Sequence, residues 1–172
     1  MENVKNYKDK AGFLNSVYPC TKYLTFGPWI YLVPQYEPDS VLILGYSEGT
    51  SAGLIQLFYG DVPITGVDIE PSQNFYGVDF VQEDARKFVE TCGKYDVVSI
   101  DLFDNSNEPC DFITTKSFVC DLKRIANYII VHAHEKTDMS AYEHLWKVKT
   151  LKLNTSVFHY YLVNNVHRLL VK

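Results

Sequence analysis

From residue 41 onward the chain alternates short, apolar, β-branched runs with stretches of helix length, and this alternation restricts its fold more than any other feature. Strands separated by helix-length crossovers feed a parallel sheet, because parallel neighbours cannot be joined by a tight turn. The pattern predicts strands over 41–45, 64–68, 78–82, 96–101 and 128–132. Helices are expected over 50–59, 71–76, 84–92, 115–125 and 139–146. Near the end, Asn164-Asn165 separates the apolar runs 156–163 and 166–171 and reads as a tight turn, so the chain closes on an antiparallel hairpin. The expected architecture is α/β and Rossmann-like, a mostly parallel seven-stranded sheet with a C-terminal antiparallel hairpin.

A chain of 172 residues can bury one sizeable core, and no repeat, low-complexity tract or Gly/Ser linker divides it. Residues 1–40 read as an N-terminal extension and 41–172 as the α/β domain. In the extension, Tyr23, Phe26, Trp29, Tyr31 and Tyr36 are read as cover over the sheet in preference to walls of a ligand cleft. A formal net charge of −5 offers no basic surplus, so a nucleic-acid partner is disfavoured. The apolar runs are strand-length and no signal-peptide core opens the chain, so a cytoplasmic protein without membrane contact is expected. Cys20, Cys92, Cys110 and Cys120 lie far apart and read as free thiols. His132 and His134 alternate at a strand end, but two ligands do not make a metal site, and none is expected. A monomer and a homodimer fit the sequence equally.

Chemistry begins at the first strand-to-helix turn, Gly45-Tyr46-Ser47-Glu48-Gly49-Thr50, where glycines let the backbone approach a ligand at the carboxyl edge of the sheet. Asp68, 23 residues beyond Gly45, ends the second strand, where a carboxylate can accept hydrogen bonds from both hydroxyls of a ribose. A solvated surface aspartate is the alternative. Asp84, at the end of the third strand, can receive an adenine amino group or cap the following helix. The fourth strand delivers Asp101-Leu102-Phe103-Asp104, two carboxylates at the same edge. Finding Gly45 and Gly49, Asp68 and Asp84 at three successive strand ends points to a nucleoside site.

Five parallel strands closed by a late hairpin resemble the class I S-adenosylmethionine-dependent methyltransferase fold. Within it, residues 41–126 resemble the spermidine synthase (polyamine aminopropyltransferase) family. That family's G-G-G-D-G-G loop is similar to Gly45-Tyr46-Ser47-Glu48-Gly49-Thr50, and its D-x-x-D is similar to Asp101-Leu102-Phe103-Asp104. The resemblance implies that Gly45, Ser47, Glu48, Gly49, Asp68, Ile69, Asp84 and Ala85 bind the nucleoside, with Asp68 on the ribose and Asp84 on the adenine amine. It also implies that Glu48 and Asp104 hold an ammonium and that Asp101 is the base, since an amine must lose a proton before it attacks carbon beside a sulfonium.

Three readings follow. The first is transfer of an aminopropyl group from decarboxylated S-adenosylmethionine to a small amine. The second is a methyltransferase that uses S-adenosylmethionine and a small acceptor. The third is a non-catalytic nucleoside-binding or partner module, which the short front end favours.

Overall fold

A computed structural model describes residues 28–74 and 76–163. At its centre are β1 (Val41–Leu44), β2 (Ile64–Asp68), β3 (Asp79–Gln82), β4 (Tyr95–Ile100), β5 (Ala126–His134), β6 (Trp146–Leu153) and β7 (Ser156–Leu162). They form one sheet in the order β3-β2-β1-β4-β5-β7-β6, with the first five parallel and β7 inserted antiparallel between β5 and β6. This is the expected seven-stranded, mostly parallel sheet with antiparallel C-terminal strands.

β1 is apolar throughout because both of its faces are covered. Successive side chains point to opposite faces of a strand, so Leu42 and Leu44 join one core while Val41 and Ile43 join the other. The first core packs under α2 (Ala85–Thr91) and α3 (Lys116–Ile125), and the second under α1 (Thr50–Tyr59) and the short 3-10 helix Pro28–Leu32. In α3 the inward positions Phe118, Val119, Leu122 and Ile125 recur at helical spacing and are buried. Thr115 starts that helix by accepting the Phe118 amide on its hydroxyl at 3.4 Å. From the last turn of α3, Arg124 donates to the Val89 and Cys92 carbonyls, the latter at 3.1 Å. One cation thus covers the open carbonyl end of α2.

Residues 28–40 are fastened to the sheet by carbonyls that accept distant hydroxyls, Leu32 from Ser99 at 2.8 Å and Tyr31 from Tyr160 at 2.7 Å. Tyr31 and Tyr36 lie against Phe158 and Tyr128, with ring centroids 5.1 and 5.9 Å apart, whereas Trp29 stays 39% exposed. Tyr23, Phe26 and Cys20 lie outside the described residues. Cys92, Cys110 and Cys120 are free thiols. Among the described residues, no helix is long and apolar enough to cross a membrane.

Three expectations need correction. No helix occupies the described residues of 71–76. Pro71 has no N–H, Asn74 takes a left-handed φ of 47°, and the Asn74 side chain brackets Val78, accepting its N–H and donating to its C=O. The segment 139–146 holds only the 3-10 turn Ser140–Tyr142 before β6 begins at Trp146. The hairpin turns at Asn154, which has φ 54°, one strand earlier than expected, and the second arm placed at 166–171 lies outside the described residues. The first arm, Trp146–Leu153, carries Lys147, Lys149 and Lys152, the kind of charge that protects an outer strand and hides its strand character in a sequence.

Candidate functional site

The sheet changes direction between β1 and β4, since β2 and β3 lie on one side of β1 while β4 and β5 lie on the other. In open α/β sheets the crevice at such a switch point, beyond the carboxyl ends of the strands, takes the ligand. Here it is tightly closed at the base. The Asp101 amide donates to the Leu44 carbonyl at 2.8 Å, and a Cβ on Gly45 would stand 2.0 Å from the Asp101 carbonyl oxygen. With φ +83° as well, position 45 admits only glycine without rearrangement.

Next to it, Tyr46 turns inward and is buried. Its ring fills the space over Gly66 and Gly49, where a Cβ would meet it at 2.3 and 2.4 Å, and packs on Phe80 at 5.4 Å. The phenol donates to Asn74 Oδ1 at 3.1 Å, and burial pushes its pKa up to about 12. Tyr46 is therefore the peg of the loop. Anchored by it, Ser47 adopts a left-handed φ of 48° and points its N–H at Asp68 Oδ2, 2.7 Å away. The Glu70 amide donates to Asp68 Oδ1 at 3.0 Å. The carboxylate is thereby fixed at the tip of β2, and each oxygen keeps a lone pair for a ligand hydroxyl.

Above this floor lies a cleft of about 750 Å³ that takes in Gly45, Ser47, Glu48, Asp68, Ile69, Asp84, Ala85 and Asp101. A smaller hollow of about 190 Å³ adjoins it, lined in part by Ser47, Glu48, Thr50, Ser51 and Asp101. The hollow sits at the start of α1, whose N-cap Gly49 supplies no side chain to the first turn. Gly49 itself serves the packing of Tyr46 and is not on the wall of either cavity. Ile69 is 65% exposed, an apolar surface beside the Asp68 carboxylate.

Two of the expected site residues are engaged elsewhere. Asp84 caps α2 by accepting the Arg86 amide at 2.9 Å, and both of its oxygens also take the Arg86 guanidinium, at 2.5 to 3.1 Å. That contact holds its carboxyl below the usual carboxylate range. Asp104 is exposed and off the cleft wall, and its Oδ1 accepts the Ser106 and Glu108 amides at 2.8 and 3.1 Å, which shapes its own loop.

Asp101 has a partner that sequence reading passed over. His132, at the end of β5, places Nδ1 2.7 Å from Asp101 Oδ1. The imidazole is 7% exposed, lies parallel to Phe158 at 4.4 Å and 14°, and packs on Phe103 at 4.7 Å. His134, two residues on along the same face of β5, pairs with Glu108 Oε2 at 3.1 Å and also packs on Phe103 at 5.3 Å. The clue was present in the His-x-His alternation at a strand end. Among the described residues, no group of three or more His, Cys, Asp or Glu side chains is arranged to hold a metal ion.

No protein family model and no curated protein matches the sequence. The fold has clear counterparts among solved structures. Human methyltransferase-like protein 13 in complex with SAH superposes with a TM-score of 0.64 at 14% identity, over 90% of this chain and 84% of that one. Burkholderia thailandensis 1,6-didemethyltoxoflavin-N1-methyltransferase, with bound 1,6-didemethyltoxoflavin and S-adenosylhomocysteine, gives 0.60 at 12% identity, over 91% and 84%. A Thermoplasma acidophilum protein, 18% identical over 89% of this chain and 84% of that one, gives 0.56. The chain has the Rossmann-like class I methyltransferase fold. Nothing in these likenesses singles out the aminopropyltransferases.

Proposed function

We propose that this protein is an S-adenosylmethionine-dependent methyltransferase acting on a small acceptor. The observation that carries the reading is the Asp68 carboxylate, fixed by the Ser47 and Glu70 amides at the rim of the switch-point cleft. In this reading it accepts the ribose hydroxyls of the donor. Ile69 and Ala85 supply apolar surface for the adenine, and Asp84 reaches the base only through a carboxylate already shared with Arg86. The fold's S-adenosylhomocysteine-bound counterparts support the same donor.

The carboxylate of S-adenosylmethionine, placed beside Glu48 in the smaller hollow, needs a compensating group. The uncapped start of α1 beside the smaller hollow supplies one, because the first amides of a helix carry partial positive charge and lack partners within it. Thr50 and Ser51 add hydroxyls there. Aminopropyl transfer called for Asp104 to hold an ammonium, and Asp104 instead serves its loop. We therefore favour methyl transfer. Asp101 would take the acceptor's proton as the methyl–sulfur bond breaks and its electron pair returns to sulfur.

Calorimetric titration with S-adenosylmethionine, S-adenosylhomocysteine, the decarboxylated donor and methylthioadenosine tests this. Preference for the two ligands that carry the amino-acid carboxylate is expected. Preference for the decarboxylated donor would restore aminopropyl transfer, and no binding by any would leave a partner module.

A further inference from the structure

We propose that the acceptor end of this cleft takes a planar phenol of zero or positive charge, a substrate class that rests on the donor reading above. Three independent observations converge on it.

The first is shape. At the β4 and β5 end the cleft wall is made of flat rings, Phe103 packed on His132 and His134, with half-exposed Trp29 also on the wall. Flat rings stack on flat rings, with offset or edge geometry giving attraction beyond the area they bury. A flexible aliphatic amine gains nothing of that kind.

The second is charge. Glu48, Asp68, Glu70, Asp84 and Asp101 line the cleft against one guanidinium, Arg86, which is already bonded to Asp84. Such a field concentrates cations and repels carboxylates and phosphates. An anionic acceptor is disfavoured on this ground.

The third is the proton. A phenol must lose its hydrogen as its oxygen bonds to the methyl carbon. Asp101 stands at the meeting point of the larger cleft and the hollow beside α1. Its Oδ1 is committed to His132 Nδ1, which leaves Oδ2 to accept. His132 is more than nine-tenths buried and its Nε2 has no hydrogen-bond partner among the described residues. With its proton on Nδ1 the imidazole donates to the Asp101 carboxylate and buries a lone pair, not an unpartnered N–H, at Nε2. His132 is thus a positioning residue, one that donates to Asp101 and holds its carboxylate on the cleft wall. In the step itself the phenol oxygen bonds to the methyl carbon, the carbon–sulfur pair goes to sulfur to give a neutral thioether, and the phenolic proton passes to Asp101.

The test uses the full chain saturated with S-adenosylhomocysteine and titrated with four probes: tyramine, p-cresol, 4-hydroxyphenylacetate and putrescine. Tyramine is expected to bind at least about tenfold tighter than 4-hydroxyphenylacetate, which carries the same ring with opposite charge, and about tenfold tighter than putrescine, with p-cresol in between. Phe103→Leu should weaken tyramine by roughly fivefold, a stacking-sized loss, with the S-adenosylhomocysteine affinity measured alongside to report a folded donor site. Equal binding of the anion and the cation, binding of putrescine as tight as tyramine, or no binding of any probe to the loaded protein would overturn the proposal. Failure to load S-adenosylhomocysteine would overturn the donor reading and this one with it.

Discussion

Asp68→Ala isolates the group on which the proposed donor site depends. In the protein its carboxylate accepts two backbone amides, from Ser47 at 2.7 Å and Glu70 at 3.0 Å, and in the bound state it would accept two ribose hydroxyls as well. Hydrogen bonds to a charged group contribute roughly 1.5–3 kcal/mol each, and the exposure of this site places them at the lower end. Two lost hydroxyl contacts then amount to about 3 kcal/mol, on the order of a hundredfold in affinity.

The protein loses less in stability than in binding. The two amides return to water, and the left-handed Ser47, which costs about 1–2 kcal/mol to hold, relaxes with them. A stability decrease of about 1 kcal/mol is expected, too small to unfold the domain. Calorimetric titration of wild type and Asp68→Ala with S-adenosylhomocysteine reads the first effect, and urea unfolding of both proteins reads the second. If the variant unfolds cooperatively and still binds within about threefold of wild type, Asp68 does not hold the ribose and the site has been misassigned.

The floor of the site makes a packing prediction: Gly66→Ala should cost about 1–3 kcal/mol in urea unfolding, because the new methyl meets the Tyr46 ring at 2.3 Å, and the same substitution made in a Tyr46→Ala background should cost less. Asp101→Asn should keep S-adenosylhomocysteine binding and lower methyl transfer to p-cresol by about 10²–10⁴-fold, measured as S-adenosylhomocysteine release, while an unchanged rate would remove Asp101 from the chemistry. On β7, burial holds the His159 pKa down at about 4, below its ordinary 6.5, so the unfolded chain binds the extra proton first. Its contribution to stability is complete above pH 6.5 and is lost as pH falls from there toward 4. Urea unfolding across that window should therefore show His159→Gln gaining on wild type as pH decreases, and parallel curves would count against the assignment.

Much of this architecture was readable in the linear chain because it is written in local periodicity. The buried strand β1 is a short apolar run, α3 carries its inward residues at helical spacing, and the turn after β1 needs a glycine that the sequence displays. The hairpin was legible as a hairpin but displaced by one strand, because the lysines of β6 conceal a strand whose apolar and charged residues alternate at the sheet edge. The short loop 71–74 was misread for a related reason: a helix was required only to fill an interval, and Asn74 satisfies that stretch of backbone with its own side chain.

The candidate site divides in the same way. Gly45, Ser47, Glu48, Asp68, Ile69 and Asp101 stand together at the cleft, as their places at strand ends require, since parallel strands of one sheet all deliver their carboxyl ends to one edge. Strand position does not reveal what each carboxylate is already bonded to. Asp84 spends its oxygens on Arg86 two residues away, Asp104 on the amides of its own turn, and Asp101 on a histidine 31 residues later. Those commitments come from side-chain rotamers and loop paths, which only the packed structure decides. The residue types and strand ends of this chain determined which carboxylates reach one edge of the sheet, and the tertiary structure decided which of them remain open to a ligand, because a lone pair already taken by a neighbour is invisible in the sequence.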